Sequence, residues 1–206
     1  MSPDTVAANL AAHWAASART GRRQRGRQWY PAARRWAEGL AVETGHTIEQ
    51  VVAVLAITSP GAQLVSNVRW TESVIRGEVE TAGRFPNANR PKLAGVLASP
   101  DTAHEYVTGP KVGPFHRAIL GDTSQLVLDR WAVFAATGER GNDATSKVAG
   151  SKRRDAVEDA YRALARRAGI TVRDLQAVIW LQVRETTEHG KTGTVPRLAD
   201  FTLGLA

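Results

Sequence analysis

The spacing of the apolar residues most constrains the fold of this chain. Apolar residues recur every three or four positions in two well-separated segments: Val6, Leu10, Trp14 and Ala18, and then Val157, Tyr161, Leu164 and Ala168. This spacing places the side chains of each segment on one face of an α-helix. No alternating run of useful length predicts a β-strand, and residues 125–128 form only a short extended segment. The sequence therefore predicts an all-α fold.

Local signals at helix ends divide the chain further. Thr47 with Gln50 three residues later is a capping box, which predicts the start of an apolar helix over 51–57. The tripeptide at 29–31 is expected to open a helix that ends near Thr44, because proline is tolerated in a first turn. The arginine-rich segment 19–27 contains two glycines and is expected to be a loop or a mobile arm. Later helices are predicted at about 63–76, 91–97, 101–106, 111–120, 129–138, 153–169 and 175–187, with loops at 83–91, 140–150 and 188–197.

The charge balance indicates the class of partner. The 206 residues include 27 Lys and Arg against 20 Asp and Glu, a formal net charge of +7. This excess favours a polyanion, with nucleic acid first and an anionic membrane surface second, over a merely soluble basic protein. The chain has no cysteine, which excludes disulfides, thiolate zinc sites and cysteine-ligated iron–sulfur clusters. Its five histidines show no metal-ligand spacing, so we predict no metal and no cofactor.

No part of the sequence has the character of a membrane segment. No stretch approaches the roughly 20 apolar residues that a membrane span needs. Residues 1–35 lack the apolar run of a signal peptide. We therefore expect a cytoplasmic protein.

One glycine-flanked lysine stands out in the middle of the chain. The pentapeptide Gly109-Pro110-Lys111-Val112-Gly113 places this lysine at the predicted start of a helix. Asp129 follows eighteen residues after the lysine, where a hydrophobic stretch ends and the next helix begins. An amine and a carboxylate are thus combined with helix-start amides that can bind a phosphate. The combination suggests chemistry on DNA.

These segments resemble a known superfamily. Residues 107–113 and 126–131 resemble the hairpin and active-site segments of the helix-hairpin-helix DNA glycosylases, which include endonuclease III and 8-oxoguanine glycosylase. Order and interval agree over roughly residues 47–138. Ser59 and Pro60, after the apolar helix, resemble the Leu-Ser-x-Gln segment that lies near the intercalation site in that superfamily. A closer resemblance is to small actinobacterial and actinophage glycosylase-like proteins, which have a Trp-Tyr near the start and a Gly-Pro-Lys-Val hairpin.

The resemblance implies a fold and an activity. The expected fold is one two-lobed helical domain over 1–206, with a helix-hairpin-helix motif and a cleft between the lobes. The hairpin and catalytic segment cover about 101–138. The implied activity is a monomeric DNA glycosylase that removes a damaged or modified base from double-stranded DNA, either by hydrolysis or with an associated β-lyase activity. The lysine favours the lyase-coupled version. The family roles of nucleophile and assisting carboxylate come to Lys111 and Asp129, in the cleft.

Three departures from the family pattern accompany the resemblance. Val107 stands where the first hairpin glycine is expected, and Trp131 stands where the family often has His, which puts a phosphate contact in doubt. The iron–sulfur extension of endonuclease III is missing, because the chain has no cysteine.

The chemistry of the two side chains is consistent with those roles. An ordinary lysine has a pKa near 10.4 and is a poor nucleophile at neutral pH, but burial at a helix N-terminus disfavours the ammonium form. The Lys111 amine could then attack the sugar C1′ as the base departs, and the Schiff base would permit β-elimination. Asp129 could stabilise the positive charge left on the sugar. Asp129 equally fits a simple helix N-cap, and Lys111 a solvated lysine or a phosphate contact.

Further residues are candidate DNA contacts. The proposed phosphate and strand contacts are Gly109, Val112, Gly113, Ser59, Gln63, Arg130, Lys147, Lys152 and Arg153. The proposed walls of the base pocket are Trp29, Tyr30, Asn67, Trp70, Phe115 and Trp131. Asn67 is expected to read a base edge, and Gln63 to fill the gap left by a flipped base. The alternatives are core positions for the aromatic residues, an exposed first-turn residue for Gln63 and a solvated face for the basic residues.

The sequence does not identify the base. A modified pyrimidine of the 5-hydroxymethyluracil type is the first to try, and 8-oxoguanine the second. Two other functions are open: a DNA-binding module without catalysis, and an enzyme that remodels a hypermodified phage base without excising it. The protein is expected to associate with the nucleoid, or with DNA in the host cytoplasm if a phage encodes it.

Overall fold

The computed structural model describes residues 2–18, 21–78, 87–139 and 152–186. The helices are α1 (Pro3–Ser17), α2 (Arg22–Thr44), α3 (Ile48–Thr58), α4 (Leu64–Ile75), α5 (Arg90–Ala98), a 3₁₀ helix (Pro100–Tyr106), α6 (Val112–Leu120), α7 (Arg130–Thr137), α8 (Lys152–Ala168) and α9 (Val172–Thr186). None of the residues in these ranges lies in a β-strand, so the all-α prediction is confirmed. The loops expected at 140–150 and 188–197, the first part of the loop expected at 83–91 (residues 83–86) and residue Lys147 lie outside the described residues. The last part of that loop prediction is wrong, because residues 87 and 88 are helical and α5 already begins at Arg90, one residue before Pro91, which suits the first turn of a helix.

The chain divides into two compact units that are not continuous in sequence. Among the described residues, unit 1 consists of 2–30 and 122–186, and unit 2 of 31–121. Unit 1 therefore contains the first and last parts of the described chain, and unit 2 the middle. Helix α2 contributes residues to both units, and the division falls at Pro31, a proline inside that helix.

Unit 1 is built around an apolar core shared by α1, α7, α8 and α9, which pack on one another. The fully buried Tyr161 of α8 occupies this core, and its hydroxyl donates to the carbonyl of Ala132 in α7 at 3.0 Å. The irregular segment 125–128 adds the buried side chains of Leu126 and Leu128 to the same core. The short extended segment that leads to Asp129 has no sheet partner within the described residues. Burial of its apolar side chains therefore holds it in place.

Unit 2 is organised around α3. Every residue of this helix from 50 to 58 is buried, and α4, α5, α6 and the 3₁₀ helix all pack against it. A helix that is apolar on all sides can be stable only when other elements surround it. The expected capping box begins it, because the Thr47 hydroxyl accepts from the Gln50 amide and the Gln50 side chain accepts from the Thr47 amide. The side-chain Nε2 atom of Gln50 also donates to the carbonyls of Val96 and Leu97 in α5, at 3.0 Å each.

The start of α2 corrects the sequence prediction. Residues 22–30 are helical, so the expected loop is wrong over 22–27 and the helix does not begin at Trp29. Contacts within unit 1 explain the difference: the guanidinium groups of Arg22 and Arg25 both pair with Glu185. Gly26 permits a close approach, because a Cβ there would lie 2.6 Å from the Cα of Val178. These distant partners stabilise a helix in a segment whose glycines and charges, by themselves, indicated a loop.

The length and hydropathy of the helices bear on membrane insertion. Within the described ranges, no single helix combines the length and the apolar character of a membrane span. The bent pair α2 and α3, which meet at 119°, satisfies length and composition only when the two helices are taken together.

Candidate functional site

Lys111 lies at the N-cap position of α6, directly after the Gly109 turn, in unit 2. Gly109 has a φ of +114°, a backbone conformation that glycine adopts without strain. The Lys111 Nζ atom donates to the Ser59 Oγ atom at 2.6 Å and lies 5.2 Å from the centroid of the Phe115 ring. The Ser59 hydroxyl donates in turn to the Ala56 carbonyl at 2.9 Å. The half-buried amine is therefore positioned by the Ser59 hydroxyl at the C-terminal end of α3 and by the Phe115 ring of α6.

One of the backbone amides at the start of α6 already donates a hydrogen bond within the turn. The Gly113 amide donates to the Gly109 carbonyl at 3.2 Å, which closes the turn. Gly113 is buried, whereas Gly109 is exposed and Val112 is half-buried. Gly113 is therefore weakened as a phosphate contact, and the contacts predicted at Gly109 and Val112 stay predictions.

Asp129 is the N-cap of α7 in unit 1, as its sequence context predicted. Its Oδ1 atom accepts from the amides of Trp131 and Ala132, at 3.0 and 2.8 Å. Its Oδ2 atom accepts from the Trp180 Nε1 atom, also at 3.0 Å. Both carboxylate oxygens thus have donors within unit 1, and the cap position holds the half-buried carboxylate in a fixed orientation.

A cluster of aromatic side chains surrounds Asp129. The Trp29 ring packs edge-on against Tyr30 and against Trp180, with centroid distances of 4.9 and 5.8 Å. Trp29 and Tyr30 are buried, and the Tyr30 hydroxyl donates to the Gln176 side chain at 2.9 Å. Burial raises the pKa of the Tyr30 hydroxyl far above its ordinary value, and the negative charge of Asp129 raises it further. These contacts favour the core alternative for Trp29 and Tyr30 over a place in the base pocket.

Arg184 of α9 lies beside the same carboxylate. Only 8% of this arginine is exposed, and its guanidinium lies 5.0 Å from the Trp131 centroid and 5.8 Å from that of Trp180. The Arg184 Nε atom is buried and has no hydrogen-bond partner among the residues that the structure describes. Burial lowers the pKa of Arg184, as does the nearby Arg130, while Asp129 opposes them. Nothing in the local sequence around Trp180 or Arg184 marked either residue, and only the tertiary fold brings them to Asp129.

The remaining candidate base contacts differ in how they are placed. Asn67 is 2% exposed; its Oδ1 accepts from the Thr58 hydroxyl at 2.7 Å and its Nδ2 donates to the Leu55 carbonyl at 3.0 Å. Both ends of this amide are used to fix α4 to α3, so we remove Asn67 from the candidate base contacts. Phe115 is buried and lies next to Lys111, whereas Trp70 and Trp131 are both half-buried. Gln63 is exposed at the N-cap of α4 and makes no side-chain capping bond. The roles of these four residues stay predictions.

The basic residues also separate into two groups. Arg153 forms an ion pair with Glu139, and Arg22 and Arg25 pair with Glu185, so these guanidinium groups have partners within unit 1. Arg130 and Lys152 are exposed at the starts of α7 and α8. No group of three or more His, Asp and Glu side chains in the described ranges has the arrangement of a metal site.

Comparison with known proteins identifies a family without assigning an activity. The chain belongs to the family described as "Family of unknown function (DUF7178)", whose family model matches residues 1–187. No curated protein and no solved structure matches the chain.

Proposed function

We propose that this protein is a DNA glycosylase with an associated β-lyase activity, which excises a damaged or modified base from double-stranded DNA. The observation that carries the proposal is the placement of Lys111. Its amine follows a glycine turn with φ of +114°, is half-buried at a helix start, and is held by a hydroxyl and a ring. An amine positioned in this way, rather than extended into solvent, is suited to act as a nucleophile.

The first step of the proposed chemistry forms one bond and breaks another. The neutral Lys111 amine attacks the sugar C1′, and the C1′–N bond to the base breaks as the base leaves with the electron pair and takes up a proton. The C1′–O4′ bond then breaks, with O4′ taking up a proton given by Nζ, and leaves a Schiff base between Nζ and C1′. Loss of a C2′ proton from this Schiff base breaks the C3′–O bond and expels the 3′ phosphate by β-elimination. Asp129, fixed by two amides and an indole N–H, stabilises the positive charge that develops on the sugar.

The proposed architecture and partner follow the resemblance and the charge. The finer fold is a helix-hairpin-helix motif in a two-lobed domain, with a cleft for a nucleotide flipped out of the duplex. The net charge of +7 supports duplex DNA as the partner of a monomeric, cytoplasmic enzyme. A 5-hydroxymethyluracil-type base is the first substrate to try, and 8-oxoguanine the second.

Borohydride trapping tests the proposal. The protein is incubated with duplexes that carry candidate bases, and borohydride reduces any Schiff base to a stable amine that links protein and DNA. We expect a covalent adduct with the wild type and none with Lys111→Gln. Lys92→Gln is the matched control, because Lys92 also donates to a hydroxyl oxygen in unit 2, that of Thr108 at 3.0 Å. An adduct that survives Lys111→Gln rules out Lys111 as the nucleophile.

The hydrogen bonds that the Asp129 carboxylate already accepts favour a second candidate function. Its two oxygens already accept three hydrogen bonds inside unit 1, which is what a purely structural cap requires. A DNA-binding module without catalysis would show tight, salt-sensitive duplex binding with no adduct and no free base from any duplex tested. That result would overturn the glycosylase proposal in favour of the binding module.

A further inference from the structure

Arg184 is a buried cation in unit 1 whose lost hydration is only partly compensated. A buried cation is strongly disfavoured unless an anion or a full set of hydrogen-bond acceptors compensates for its lost hydration. Arg184 is 92% buried, yet its Nε atom has no acceptor among the described residues. Its guanidinium has two indole rings for neighbours, and these supply only part of the compensation.

The Asp129 carboxylate does not supply the acceptor that Arg184 lacks. Asp129 contributes a favourable charge to Arg184, but its Oδ1 atom is used by the amides of Trp131 and Ala132. Its Oδ2 atom is used by the Trp180 indole. The acceptor that would complete the environment of Arg184 must therefore come from outside these side chains.

A second guanidinium lies on the same indole ring. The Arg130 Cζ atom is 5.2 Å from the Trp131 centroid, and the Arg184 Cζ atom is 5.0 Å from it. Arg130 is exposed and Arg184 is buried, so the pair leads from solvent into the unit. Two like charges on one ring oppose each other, and an anion bound between them would remove that repulsion.

We infer that Arg130 and Arg184 form an anion site beside the Trp131 ring, and that its ligand is a phosphodiester group of bound DNA. The local charge supports a phosphodiester, because two guanidinium groups with the Asp129 carboxylate leave one net positive charge and a phosphodiester carries one negative charge. The planar guanidinium fork matches two phosphate oxygens. The choice of DNA as the source of this phosphate rests on the proposed function.

The first test measures duplex affinity against salt for the full chain. Removing one phosphate contact reduces the magnitude of the negative slope of log K against log salt by about 0.9. We expect Arg184→Gln and Arg130→Gln each to show this decrease. Their affinity at moderate salt should fall about tenfold, the scale of one charge-assisted hydrogen bond. Arg184→Lys keeps the charge and should keep the slope.

The matched control is Arg154→Gln, which changes the net charge of unit 1 equally. Arg154 pairs with Glu158 one turn away at 2.7 Å, so its loss should leave the salt slope nearly unchanged. Circular dichroism verifies that each variant is folded. If Arg184→Gln does not fold, the exposed Arg130→Gln decides the question. Wild-type affinity and slope in every folded Arg130 and Arg184 variant would overturn the site.

Two further measurements separate this inference from the proposed function and from a free ligand. Borohydride adducts together with unchanged salt slopes in the variants would retain the glycosylase and reject the site. An Arg184-dependent slope without adducts or base release would retain the site and reject the glycosylase. Thermal unfolding with inorganic phosphate is the last arm: stabilisation that depends on Arg184, with no duplex binding by the wild type, would overturn DNA as the source.

Discussion

Lys111 in unit 2 and Asp129 in unit 1 are held in different ways. The Lys111 Nζ atom donates to the Ser59 hydroxyl, and the side chain follows a glycine turn. Asp129 is fixed at both oxygens, by two amides of its own helix and by the Trp180 indole. A serine hydroxyl can be exchanged for another acceptor of the amine at little cost, whereas three donors preorganise one carboxylate. The contrast fits a nucleophile that must move onto C1′ and a carboxylate that must stay in place.

The largest expected effect tests whether Asp129 is more than a cap. Asn caps a helix about as well as Asp but cannot accept from the Trp180 indole at the Oδ2 position, so Asp129→Asn should lower the free energy of unfolding by about 1–3 kcal/mol. The negative charge is lost, and we expect the single-turnover rate of base release to fall by about 10²–10³-fold. Asp155→Asn, an exposed first-turn acid of α8, is the control. An unchanged rate in Asp129→Asn reduces this residue to a cap.

The next effect concerns the turn that presents Lys111. Gly109 has open space around it, so Gly109→Ala adds no clash, but its φ of +114° is strained for alanine. We expect a loss of about 1–3 kcal/mol in the free energy of unfolding, measured with urea. Gly113→Ala is the matched control, because a Cβ there would lie 3.4 Å from the Arg117 side chain and 3.8 Å from the Val107 carbonyl oxygen, in a helix where alanine is favoured. Equal stabilities of the two variants would contradict the assigned turn.

A smaller effect should follow from the indole that holds Asp129. Trp180→Phe keeps an aromatic ring but removes the donor to Oδ2. We expect the rate of base release to fall about tenfold, the scale of one lost hydrogen bond to a charged group. In an Asp129→Asn background the same change should add little, because the two residues act as one pair. Trp14→Phe, a half-buried tryptophan elsewhere in unit 1, is the control, and equal rates in both tryptophan variants would remove Trp180 from the site.

The smallest effect is expected at Ser59. Ser59→Ala removes the hydroxyl that accepts from the Lys111 Nζ atom. The rate of adduct formation should fall by about 2- to 10-fold, since a neutral partner contributes about 1 kcal/mol. Ser66→Ala, at a half-buried serine of α4, is the control. If trapping is as fast in Ser59→Ala as in Ser66→Ala, the hydroxyl does not position the amine.

Much of the fold could be predicted because its signals are local. The apolar spacing, the Thr47 capping box and the Asp129 cap each depend on residues within one turn of a helix, and all three agree with the structure. The prediction failed at residues 22–27, where two glycines and several arginines indicated a loop. There the deciding contacts come from Val178 and Glu185, more than 150 residues later.

The sequence by itself determined the class of fold, the glycine turn before Lys111 and the cap position of Asp129, because backbone conformation and capping depend on neighbouring residues. Only the tertiary structure decided what surrounds the two side chains. Ser59 reaches Lys111 across 52 residues, and Trp180 reaches Asp129 across 51. The burial of Arg184 between two indole rings was likewise set by packing, since the contacts of a core form between helices that no local pattern can pair.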